Sequence, residues 1–264
     1  MSNFDYTAKT IVVTGASSGL GAEFARQLSA RGANLVLVAR REERLQALAT
    51  ELTGRDGTVV TTIARDLDRP DAGRTLRAEL ESRGIVVNGL VNSAGFGTHD
   101  RFGDEDPQRL QQLIMVNVGA LVDINRAYFD DLATQKDSVL INVASLLGFV
   151  PNPFMSVYGA SKAFVLSLTE SLWEEARGTG LRVLAISPGA MQTEFFDSAG
   201  QDADYGTKRA LPQDVVKAAL ETIDKGARRP SLITNGSSIA VAARFLPRST
   251  MARLMGFVAR RANH

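Results

Sequence analysis

The sequence predicts an α/β protein: one doubly wound parallel sheet of about seven strands with helices on both faces. Two patterns lead there. Short runs of β-branched and apolar residues, such as Leu35-Val36-Leu37-Val38-Ala39, are continuous rather than alternating, which suits strands covered on both sides. Between them apolar residues recur at helical spacing, first Leu20, Phe24 and Leu28, then Leu45, Leu48 and Leu52. Strand followed by helix, repeated, calls for parallel neighbours and right-handed crossovers. The 264 residues contain no linker, internal repeat or low-complexity tract, so a single domain is expected.

Taken in order, strands are expected at 10–14, 34–39, 58–64, 88–92, 138–143, 181–186 and 231–234. The stretch 138–161 lacks Asp, Glu, Lys and Arg, but Asn142, Pro151, Asn152 and Pro153 would strand backbone polar groups in lipid. It reads as strand, loop and helix start, and no membrane span is expected. Nor do the opening residues, with Asp5 and no apolar run, look like a signal or transit peptide. Residues 188–211 form the longest region without a clear element, and their apolar members suggest a lid. Lys and Arg number 30 against 29 Asp and Glu, so no global field exists to hold nucleic acid. With no cysteine, disulfides, thiolate metal sites and cysteine nucleophiles are excluded, and a reducing, cytoplasmic setting is expected.

Directly after the first strand comes T-G-A-S-S-G-L-G, residues 14–21, opening a helix. Gly15 permits the reversal, Gly19 allows backbone to approach a diphosphate, and Gly21 allows close helix–strand packing, with Ser17, Ser18 and Leu20 in between. The helix start offers free N–H groups and partial positive charge. This is the Rossmann-type arrangement, although such a turn alone would equally serve S-adenosylmethionine or a flavin. At the end of the second strand, where an acid would hold a free ribose 2′-hydroxyl, stand Ala39, Arg40 and Arg41. Guanidinium groups suit a 2′-phosphate, so NADP(H) is expected over NAD(H). The plain alternative is that the arginines cap a surface helix.

The helix after the fifth strand carries Y-G-A-S-K, which places Tyr158 and Lys162 on one face at i, i+4. A nearby ammonium would lower the phenol pKa and let it exchange a proton with a reacting oxygen. Ser145, at the carboxyl end of the fifth strand, lies where open parallel sheets bind ligands.

With these motifs in order, the sequence resembles the classical short-chain dehydrogenase/reductases over about residues 8–235. It also carries N-S-A-G at 92–95, where the family more often has N-N-A-G, then V-N-V at Asn117 and Pro188-Gly189 followed by Thr193. The resemblance implies that Tyr158 is the proton donor or acceptor and Ser145 the carbonyl anchor. Lys162 would bind the nicotinamide ribose, and Asn117 would hold a proton-relay water. Asp66 and Leu67 would lie near adenine, Asn92 would stabilise the central strand in the cofactor-binding segment it shares with Ala94 and Gly95, and Thr193 would meet the nicotinamide carboxamide. The reaction implied is hydride transfer without a metal, in a homodimer or homotetramer.

Leu147, Phe149 and Phe154, together with Met191, Phe195 and the adjoining Phe196, are expected to surround an apolar carbonyl substrate, such as a 3-oxoacyl chain or a steroid-like ring. Ordinary core filling is the alternative. The local sequence also resembles the ketoacyl reductase and hydroxysteroid dehydrogenase branch. His99 and His264 show no ligand spacing, and His99 is expected to be a solvated loop residue. Residues 1–235 should form the catalytic domain, followed at 236–264 by a basic amphipathic extension with no acidic residue. Pro247 should divide that extension and leave a short second piece, packed on the domain or a partner, with membrane-surface contact as the alternative. Two other readings compete: a non-catalytic NADP(H) sensor or scaffold of the same fold, and a methyltransferase, which would leave Ser145, Tyr158 and Lys162 unexplained.

Overall fold

β-branched runs buried on both sides make the strands of the computed structural model, which describes residues 4–262. They are β1 (Thr10–Thr14), β2 (Asn34–Ala39), β3 (Val60–Ala64), β4 (Gly89–Asn92), β5 (Ser138–Val143), β6 (Leu181–Pro188) and β7 (Ser231–Thr234). All pair in parallel, in the order β3-β2-β1-β4-β5-β6-β7. Side chains alternate between the faces: Ile11 and Val13 face one core, Val12 the other.

Helices α1 (Gly19–Ser29), α2 (Glu42–Asp56) and α8 (Pro212–Asp224) close the first face through Phe24, Leu45 and Val216. The second is covered by α3 (Ala72–Ser82), α5 (Ala120–Thr134) and part of α6 (Ser156–Glu175), through Leu76, Ile124 and Trp173. Helix α4 (Pro107–Ile114) leads into α5 through a π-helical turn at Met115–Gly119. Helices α3 and α5 touch at Gly73, whose N–H donates to Asp123 Oδ2 at 2.6 Å. A Cβ at Gly73 would fall on the Asp123 carbonyl.

Strand ends differ from expectation by one or two residues, for local reasons. β4 begins after Asn88 because that side chain takes the place of a ladder partner, accepting from Thr10 N–H at 2.9 Å. β6 runs on to Pro188, which needs no donor at a strand end. The expected lid is ordered, with α7 (Phe195–Ala199), a 3-10 turn (Gln201–Asp204) and a bridge between Met191 and Ala210. Pro247 does divide the C-terminal segment, into α9 (Ser237–Phe245) and α10 (Arg248–Ala262). The second piece is not short: it spans 15 residues, the longer of the two. Buried Met251 and Met255 pack with Val150, so both helices lie on the domain.

His99 also departs from expectation. It is half-buried beside Phe154 and Tyr205, with ring centroids 6.0 and 5.9 Å away, and its Nε2 is out of water. His264 lies outside the described residues.

Because the α3–α5 contact has no room for a side chain at Gly73, Gly73→Val should destabilise the fold by roughly 1–3 kcal/mol. Calorimetry should then record a Tm lower by several degrees, about 2–4 °C per kcal/mol.

Candidate active site

Between β1 and β4 the strand order reverses, and the loops leaving the carboxyl ends diverge into a crevice. Thr14 Oγ1 braces the two loops by accepting from the N–H groups of Ser93 and Ala94, each at 3.1 Å. Gly15, at φ +68°, passes so close that a Cβ would stand 2.8 Å from the Ala94 backbone. A Cβ at Gly21 would strike the Gly15 carbonyl, so this glycine serves helix–strand packing and does not line the crevice. Gly15, Ser17, Ser18, Gly19 and Leu20 do line it, with the start of α1 opening toward the cavity.

The cavity holds about 850 Å³ and runs from the end of β2 to the C-terminal helices. At its β2 end lie Arg40 and Arg41, with no carboxylate at the strand tip. Arg41 donates to Ser17 Oγ at 3.0 Å, to Ser18 Oγ at 2.7 Å and to Glu194 Oε2 at 2.8 Å. Arg44 reaches the same carboxylate at 2.6 Å. Hydrogen bonds from Arg41 and then Arg44 hold the Glu194 carboxyl below the usual range. Asp66 and Leu67 line the next part of the wall, then Ala94 and Gly95, while Pro188, Gly189 and Thr193 close the opposite side.

Ser145 follows β5 and its hydroxyl accepts from Leu147 N–H at 3.1 Å, capping the 3-10 turn Leu146–Phe149. Tyr158 and Lys162 rise from the first turns of α6, both buried, with the ammonium 5.8 Å from the phenol ring centre. Lys162 Nζ donates to the Val143 carbonyl at 2.8 Å. Burial pushes the phenol up to about 12, and the hydrogen bond with Ser145 offsets part of that rise. Burial likewise brings Lys162 down to about 8. The expected acidification of the phenol by lysine is therefore absent from the free protein. Desolvation dominates, because a phenol kept from water resists forming its anion.

Three further assignments are corrected. Asn92 braces the central strand β4 as expected, donating to Asn125 Oδ1 at 2.7 Å and Asn142 Oδ1 at 2.9 Å, but it does so from beneath the crevice and not from the cofactor wall. Phe149 packs with Val150, Met255 and Val165, because the 3-10 turn puts Leu147 and Val150 on one face and swings Phe149 off it. Phe154, at φ +70°, turns toward His99 and also misses the cavity, whereas Leu147, Met191 and Phe195 line it.

Asn117 is buried, and its amide exchanges hydrogen bonds with the Phe96 main chain at 3.1 and 3.0 Å and donates to Ser161 Oγ at 3.1 Å. The side chain thus fixes the loop after β4. The Phe195 ring centroid lies 5.2 Å from that of Tyr158, so the segment after β6 packs against the Tyr158 ring.

Several wall residues escaped the sequence reading. Arg44 was visible as an i, i+3 neighbour of Arg41, but its partner Glu194 is 150 positions away. Ile239, Ala242, Met251, Leu254, Met255 and Val258 form one wall, and their helical periodicity signalled packing without saying against what.

Comparison with known proteins agrees with this geometry. Residues 9–204 match the family described as short chain dehydrogenase. Sulfoacetaldehyde reductase of Chromohalobacter salexigens is 36% identical over 216 residues, 78% of this chain and 85% of that protein. A short-chain dehydrogenase from Sphingobium yanoikuyae, solved in complex with NADPH, aligns with TM-score 0.79 and 32% identity over 92% of this chain and 95% of its own. A 7beta-hydroxysteroid dehydrogenase structure aligns with TM-score 0.84 and 28% identity over 97% of this chain and 100% of its own. By sequence match, sheet order and the Ser145–Tyr158–Lys162 arrangement, this chain belongs to the short-chain dehydrogenase family.

Proposed function

We propose that the protein is an NADP(H)-dependent oxidoreductase interconverting a ketone and a secondary alcohol on a bulky apolar substrate. The observation that carries the substrate class is the apolar part of the cavity wall, made by Leu147 and Phe195 beside Tyr158 and by Met191, Met251, Met255 and Val258 elsewhere in the same cavity. A surface of this kind gains from burying hydrocarbon and offers a small hydrophilic molecule little. Likeness to a 7beta-hydroxysteroid dehydrogenase supports the same reading.

The cofactor reading rests on fit. The crevice accommodates a dinucleotide where Gly15 and Gly19 leave no Cβ, and Arg40 and Arg41 flank it without an acid at the end of β2. Arg40 has no carboxylate partner among the described residues, which leaves it available to a 2′-phosphate. When bound, a reduced nicotinamide supplies hydride to the carbonyl carbon. Ser145 donates its hydroxyl proton as a hydrogen bond to the carbonyl oxygen, and Tyr158 gives that oxygen its proton. The Lys162 ammonium steadies the phenolate left behind, and the lid ring of Phe195 excludes water from the exchange. A non-catalytic sensor or scaffold would have no use for this set of reactive side chains brought to one cavity.

A panel of lipid ketones and alcohols, followed by absorbance of the reduced nicotinamide, tests the activity and its substrate class together. Turnover confined to small anionic aldehydes would overturn the apolar reading. Tyr158→Phe should cut kcat by about 10²–10⁴ while leaving cofactor affinity intact by fluorescence titration. Arg40→Ala should weaken NADPH roughly ten- to hundred-fold, the loss of a charge-assisted contact, and leave NADH nearly unchanged. Lys162 is an ammonium below about pH 8 and a neutral amine above it. The rate of carbonyl reduction should accordingly hold below that pH and fall above it by at most about ten-fold per unit, and Lys162→Met should erase the inflection. A wild-type profile flat to about pH 10 would show that lysine ionisation is not coupled to proton transfer.

A further inference from the structure

We infer that the exposed face of α9 and α10 is a docking surface for an anionic lipid bilayer. No Asp or Glu follows Asp224, while Arg244, Arg248, Arg253, Arg260 and Arg261 all lie exposed on or beside these helices. None of the five has a carboxylate partner among the described residues. Met251, Met255 and Ala259 are buried against the domain, which fixes the opposite face of α10 outward. That face carries Arg253, Phe257 and Arg261 at i, i+4 spacing with Arg260 alongside, and Phe257 is 58% exposed. On α9 the outward residues are Val241, Arg244 and Phe245, the last 82% exposed.

Helices with a buried seam and an outer face of arginine and phenylalanine have the form that lies in a membrane interface, guanidiniums among phosphates and rings below them. A second copy of the chain is a poor occupant, since an isologous contact would set these unpaired arginines against each other. A nucleic acid would satisfy the arginines but not Phe245 and Phe257. Leu254 belongs both to this exposed face and to the cavity wall, so docking would bring the apolar end of the cavity to the bilayer.

Flotation of the full-length protein with vesicles of phosphatidylcholine, with and without phosphatidylglycerol, reads this out. Binding should need the anionic lipid and weaken with salt as the Debye length shortens from about 30 Å to about 8 Å. Each arginine near the surface contributes about a five-fold change in partitioning, so Arg253→Glu with Arg261→Glu should reduce binding to the level seen with neutral vesicles. Phe245→Ser with Phe257→Ser should weaken vesicle binding while leaving any binding to a single-stranded oligonucleotide unchanged. All four positions are exposed, so folding by circular dichroism and turnover of a water-soluble substrate should persist.

Three results would overturn the inference. One is no binding to anionic vesicles at low salt; another is equal binding with and without phosphatidylglycerol. The third is an arginine variant that dissociates a dimer in sedimentation, which would make the face an interface between copies. Catalytic turnover is read separately, so failure of the docking surface would leave the proposed reaction standing.

Discussion

One hydrogen bond holds the reactive end of this protein together. Lys162 Nζ donates to the Val143 carbonyl, joining the last residue of β5 to the second turn of α6. The carbonyl comes from a sheet buried on both faces, and the ammonium it holds is equally shut off from water. A buried charge with a single neutral acceptor is costly, and the lowered lysine pKa reflects that cost. The same contact ties the start of α6 to the end of β5, and Tyr158 stands one turn earlier beside Ser145.

Below this point the support is polar and buried. Asn125, Asn92, Asn142 and Thr169 form a chain of amides and a hydroxyl running from α5 through β4 and β5 to α6. Each side chain is paired to the next, while Asn92 Oδ1 and Asn125 Nδ2 have no partner among the described residues, so the chain ties two strands and two helices together. Asn117 does the same for the loop after β4 through the Phe96 backbone. The crevice above therefore rests on specific pairings as well as on apolar packing.

Much of this was legible from local sequence. Continuous apolar runs located every strand to within a residue or two, because a strand covered on both faces has no polar side to confuse the pattern. The glycine turn and the Tyr158–Lys162 spacing were equally plain, since each is a short-range geometric requirement. What local reading missed depends on distant contacts or on solvent. Glu194 acquires its role only when the lid folds back onto α2. The turn of Phe149 and Phe154 away from the cavity follows from backbone conformation that composition does not specify. The direction of the phenol pKa is likewise hidden from the sequence, since proximity of a cation is visible in a spacing and desolvation is not.

The bridge from Glu194 to Arg41 and Arg44 ties the two ends of the cleft into one mechanical unit. Glu194 lies between Thr193 and Phe195, so whatever draws the arginines away from it also slackens the strap over Tyr158. A phosphate arriving at the far end would compete for those guanidiniums, and its arrival would be felt as a change in how tightly the reactive hydroxyl is roofed. The segment over Tyr158 and the start of α2 are thus joined through one carboxylate.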